Sequence, residues 1–112
     1  MERKIKKLLK DILDSIISIN EYLGEDKSFA KYERDKKLRR AVEREFEIVG
    51  EAMRRLSELT ELHEITDPQQ IIGLRNKVIH GYDVIEDGLI WGIIINHLPK
   101  LKSEVELLLN KE

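Results

Sequence analysis

The chain has no cysteine, so it carries no disulfide framework, no thiolate metal site and no thiol nucleophile. It also lacks a long apolar run: no stretch could span a bilayer, and the charged start Met1-Glu2-Arg3-Lys4 leads into apolar residues at helical spacing rather than a secretory hydrophobic segment. The expectation is a cytoplasmic protein with no membrane association. There is no internal repeat, low-complexity segment or linker, and 112 residues suffice for one modest core, which places residues 1–112 in a single domain. Neither sign of charge dominates overall, the net charge being −2, yet the distribution is uneven. Residues 1–44 hold 13 of the 20 lysines and arginines but 9 of the 22 acidic residues. The strongest basic clusters are Arg3, Lys4, Lys6, Lys7 and Lys10, and later Lys31 to Arg40. Clusters of this kind either track phosphates or form an ordinary solvated helix face.

What is present is helical periodicity. Ile5, Leu8, Leu9, Ile12, Ile16, Ile19 and Leu23 recur at threes and fours, which predicts an amphipathic helix over residues 3–23 stopped by Gly24. Ser28 suits an N-cap for a short turn bearing Phe29 and Tyr32. From Asp35 to Leu59 a second long helix follows from Leu38, Val42, Phe46, Val49, Met53 and Leu56, with Glu45 inside its apolar arc and Glu51 to the side, next to Gly50. Asp67-Pro68-Gln69-Gln70 is a start signal, with Asp67 as N-cap and Pro68 at the first helical position. Leu89 to Ile95 has the β-branched content of a buried strand, but a lone strand has nothing to pair with, so a helix buried nearly all round is expected. Pro99 should kink or break it before a terminal helix carrying Leu101, Val105 and Leu108. The expected fold is all-α, a bundle of four to five helices.

The third long helical segment ends in Gly73-Leu74-Arg75-Asn76-Lys77-Val78-Ile79-His80-Gly81-Tyr82. On a helical wheel Ile71, Ile72, Leu74, Val78 and Ile79 form an apolar arc with Arg75 in its middle. Such an arginine either snorkels to water or meets a carboxylate, and Glu45 and Glu51 are the candidates. Asn76 and His80 stand one turn apart at the edge of the arc, and Gly81 turns the chain so that Tyr82 can return toward His80.

The run from Arg75 to Tyr82 resembles the R-N-x-x-x-H-x-Y signature of the HepT-like toxins, a branch of the HEPN (higher eukaryotes and prokaryotes nucleotide-binding) superfamily. Ala41-Val42 with Glu47-Ile48-Val49-Gly50-Glu51-Ala52, and Trp91 with His97-Leu98-Pro99-Lys100-Leu101, resemble the long-helix and C-terminal helix patterns of the same family. Glu45 departs from it, standing where a neutral polar residue is common, and residues 83–88 fall in a variable turn. The resemblance implies a HEPN-like homodimer with the two motifs facing each other around one composite ribonuclease cleft. It also implies an MntA-type minimal nucleotidyltransferase antitoxin as partner, RNA as substrate, and AMP transfer to Tyr82 as the means of control.

Metal-free RNA cleavage needs a proton taken from the ribose 2′-hydroxyl, charge stabilised on the phosphoryl group, and a proton given to the departing 5′-oxygen. His80 titrates near neutrality and can act as base or acid, Arg75 suits phosphate oxygens, and Asn76 can orient either group. The products would be a 2′,3′-cyclic phosphate and a 5′-hydroxyl. No cofactor is expected. A metal on Asp83, Glu86 and Asp87 is the weaker reading, because acids before a helix ordinarily serve its dipole. His63 and His97 read as surface or packing residues. The reading of a different class is a non-catalytic helical subunit that binds a nucleotide or a nucleotidyltransferase through the same residues.

Overall fold

A computed structural model describes residues 2–79 and 87–111, with positions 74–79 and Asp87 described as backbone. Among the described residues there are six helices and no strand: α1 (Arg3–Leu23), α2 (Phe29–Arg34), α3 (Lys36–Leu59), α4 (Pro68–Ile79), α5 (Asp87–Asn96) and α6 (Leu98–Leu109). The count exceeds the expected four to five because α2 stands as an element of its own and the chain breaks ahead of Pro99.

α1 and α3 are the frame. Leu9, Ile12, Ile16 and Ile19 of α1 meet the core alongside Val42, Phe46, Val49 and Met53 of α3, all essentially without solvent exposure. Their polar positions fall on the outer faces, as the 3.6-residue period requires. Local chemistry fixes the ends. Gly24 stops α1 with φ +73, a conformation in the left-handed half of the map where only glycine is unstrained, and its N–H bonds the Asn20 carbonyl. The Ser28 hydroxyl accepts from the Lys31 N–H to start α2, and the Asp35 carboxylate accepts from the Leu38 N–H at 3.0 Å to start α3. α2 is held through its aromatics: Tyr32 is fully buried, and Trp91 of α5 lies 5.4 Å from its ring and 5.8 Å from that of Phe29.

α4 packs along α3 and α6 packs on both α1 and α5. The entrance to α4 is tied down from across the molecule. Glu104 of α6 accepts from both the Thr66 N–H, at 3.0 Å, and the Thr66 hydroxyl, at 2.7 Å. The next residue, Asp67, has φ +47, a conformation that costs a non-glycine residue about 1–2 kcal/mol. Its carbonyl accepts from the Gln70 N–H to open the helix.

The Leu89–Ile95 segment is helical, but it is not buried nearly all round as its composition suggested. Ile90, Ile93 and Ile94 are buried, whereas Leu89 and Ile95 are 40% and 41% exposed. Among the described residues α5 packs on α6 and, through Trp91, on the aromatics of α2. At the α5–α6 joint the hydrogen-bond ladder continues through the break: the His97 N–H bonds the Ile93 carbonyl at 2.9 Å, and the His97 carbonyl accepts from Leu101 at 3.0 Å. No helix among the described residues is long and apolar enough to cross a membrane.

Candidate active site

α4 carries Arg75 and Asn76 on its last two turns. One turn earlier Ile71 and Ile72 are buried, and they set the rotation of the helix against α3. Gly50, at the middle of α3, is buried as well, as a close helix approach requires. His80 and Tyr82 lie outside the described residues, together with Gly81, Asp83 and Glu86, and the side chains of Arg75 and Asn76 are likewise undescribed. The structure therefore bears on this end of the site through its supports, namely the α4 backbone, the α3 face beneath it and the Thr66–Glu104 clasp at its start.

The two carboxylates singled out as candidates to meet Arg75 each have other partners. Half-buried Glu45 accepts a 2.9 Å hydrogen bond from the Tyr22 hydroxyl, which reaches over from α1. That bond, and then the negative charge of Glu45, hold the Tyr22 phenol above its usual pKa, because ionising it would place an anion beside a carboxylate. Glu51 accepts from Arg54 Nε at 2.9 Å and from Arg55 Nε at 3.3 Å. The same Glu51 carboxylate, by hydrogen bond and charge, raises the Arg54 pKa further, with Glu58 adding to it. Together with Arg40–Glu43 at 2.8 Å and Arg44–Glu47 at 3.0 Å, these contacts form a ladder of ion pairs along the outer side of α3. Of the other histidines, His63 is exposed beside Glu61, and His97 is half-buried at the α5–α6 joint.

The basic clusters are the feature whose arrangement the linear sequence could not show. Arg3, Lys4 and Lys7 of α1 face Arg54 and Arg55 of α3 across a groove of about 590 Å³. The charge bias toward residues 1–44 signalled the first wall, but the second comes from the acidic half of the chain.

Comparison with known proteins settles the family. Residues 12–108 match the family model described as "Ribonuclease HepT-like". The chain belongs to this family. HepT-like relatives include a Methanocaldococcus jannaschii protein, named as a putative RNase, that is 36% identical over 107 residues, covering 95% of this chain and 97% of its own. A Caldanaerobacter subterraneus protein with a similar name is 37% identical over 86 residues, covering 76% and 77%. A "Probable ribonuclease HepT" from Thermococcus cleftensis is 32% identical over 109 residues, covering 96% and 98%. No solved structure gave a match. The HepT-like match encloses the whole segment from Arg75 to Tyr82 and the helices that support it.

Proposed function

We propose that the chain is a metal-independent endoribonuclease, the cytoplasmic toxin of a HepT/MntA-type toxin–antitoxin pair. The observation that carries this reading is the family match over residues 12–108; it spans Arg75, Asn76, His80 and Tyr82, whose order resembles the R-N-x-x-x-H-x-Y signature. His80 removes the 2′-hydroxyl proton or protonates the leaving 5′-oxygen, and a homodimer supplies one histidine for each task. Arg75 binds the non-bridging phosphate oxygens as negative charge builds on them. Asn76 positions the imidazole or the phosphate. The open side of α5, with Leu89 and Ile95 exposed, offers apolar surface for a second copy to cover.

Control falls to Tyr82. The partner nucleotidyltransferase directs the Tyr82 oxygen onto the α-phosphorus of ATP: a new oxygen–phosphorus bond forms, pyrophosphate leaves with the old one, and the phenolic proton passes to a base on the partner. The tethered adenylate then sets a phosphate against Arg75 and a base in the path of RNA, so activity falls without unfolding.

The test is RNA cleavage by purified protein in the presence of a chelator. Wild type should leave 2′,3′-cyclic phosphate ends, and His80→Ala or Arg75→Ala should reduce the rate by roughly 10²-fold or more at an unchanged thermal midpoint. Equal cleavage by His80→Ala would overturn the catalytic assignment. Intact RNA with wild type would leave a non-catalytic nucleotidyltransferase-binding subunit. With partner, ATP and magnesium, AMP should appear on the Tyr82 peptide and be absent in Tyr82→Phe.

A further inference from the structure

Among the described residues, the groove between α1 and α3 is lined by those two helices alone. Its walls hold Arg3, Lys4, Lys7, Arg54 and Arg55 against only Asp11 and Glu58. An adjoining hollow extends the same surface over Lys6 and Lys10, with Asp14 beside them. In a protein of net charge −2 this is a concentrated positive strip. Part of it is neutralised locally, since Lys7 bonds Asp11 at 3.0 Å and Arg54 and Arg55 share Glu51. Arg3, Lys4 and Lys10 have no acidic partner among the described residues.

We infer that this groove is a binding track for the phosphate backbone of single-stranded RNA, holding substrate outside the catalytic motif. The inference rests on the RNase reading for its choice of occupant but not for its geometry. Three features favour RNA. The strip is rich in lysine, in which protein-binding surfaces are depleted, and with no aromatic residue among its described lining to stack bases it grips phosphates alone. The main apolar stripe of α1 is already spent, with Leu9, Ile12, Ile16 and Ile19 in the core, and Leu8 and Leu59 are the apolar side chains left in the groove among the described residues, too few for insertion into a lipid surface. Cations rise from both walls of a groove, which suits a strand lying between them better than a flat partner. Contacts of this kind read charge alone, so the track adds affinity without sequence preference.

The experiment uses full-length dimer carrying His80→Ala, so that RNA survives, and compares it with the same protein bearing Arg3→Ala, Lys4→Ala and Arg55→Ala. Binding of poly(U) and of the dinucleotide UpU is measured over a range of salt. Loss of three phosphate contacts should flatten the slope of log affinity against log salt by about 2, at roughly 0.7 per contact. Affinity for poly(U) should fall at least tenfold at low salt, with the smaller effect on UpU. A single Lys4→Glu variant, at an exposed position, gives the same reading in milder form and guards against a misfolded triple variant. An unchanged salt slope overturns the track. So does a variant that keeps poly(U) but loses the nucleotidyltransferase or vesicles containing phosphatidylserine. If wild type fails to cut RNA while the salt slope still flattens, the track stands and the RNase reading falls.

Discussion

The α1–α3 pair and the α4–α5 segment solve different problems. The pair is long, strongly two-faced and closed on itself: 21 and 24 residues whose apolar stripes meet across one core. α4 and α5, of 12 and 10 residues, carry less polar contrast between their faces. An isolated helix of that length is marginal in water, so α4 and α5 depend on α3, α6 and the aromatics of α2 for their shape. The proposed chemistry is thus assigned to the part of the molecule that cannot hold itself, on a frame that needs no chemistry. Stability and activity should separate along this line.

The largest effect should come from the frame. Phe46→Ala removes a fully buried ring at the centre of α3 and should cost about 3–5 kcal/mol. Urea unfolding would read that loss, and activity should disappear with the fold. A variant that remains fully active near its usual midpoint would break the division of labour. Next, Glu104→Ala removes the carboxylate that holds Thr66, two hydrogen bonds in a half-exposed setting, and should cost about 1–2 kcal/mol. Amide exchange should quicken first around residues 66–72 while α1 and α3 stay protected. Uniform exchange through the whole chain would mean that frame and site unfold as one unit. Asp35→Ala, which removes the cap of α3, should cost about 1 kcal/mol by the same unfolding measurement.

The smallest effect is a pH effect. Tyr22 has a raised pKa in the folded protein, so its bond to Glu45 contributes stability that is fully present below the unfolded phenol pKa. That contribution is lost as pH rises through the folded value. Wild type and Tyr22→Phe should therefore differ slightly at neutral pH and converge in strong alkali. A difference that widened above the phenol range would mean that Glu45 does not hold the Tyr22 proton.

The frame was legible because its signals are local. Gly24, Ser28, Asp35 and Pro68 each mark a boundary through their own backbone chemistry, and α1 and α3 announce themselves by spacing. Asp67 was correctly placed at the door of α4, but not its left-handed backbone, which depends on what Thr66 is tied to. The tie itself joins residues 38 apart, and Tyr22 reaches Glu45 over 23; no periodicity encodes such pairs. α5 misled in a different way. When nearly every position is apolar, sequence cannot tell which face will find a partner, and Leu89 and Ile95 were assigned to a core that reaches only their neighbours. Arg75, Asn76, His80 and Tyr82 were chosen by motif, which speaks to chemistry and says nothing of packing.

The contact of α1 with α6 sets a clock on synthesis. Most of what the first helix buries is covered by α3, but the remainder arrives only with the last helix, after the intervening chain has been made. At roughly 5–20 residues per second, the ribosome needs on the order of 4–15 s to move from Leu23 to Leu98. During that interval the helix bearing Arg75 emerges beside a core that cannot yet close. The core is therefore complete only once the final segment is out, so on the toxin–antitoxin reading proposed above a partner translated at the same time would have several seconds in which to be ready.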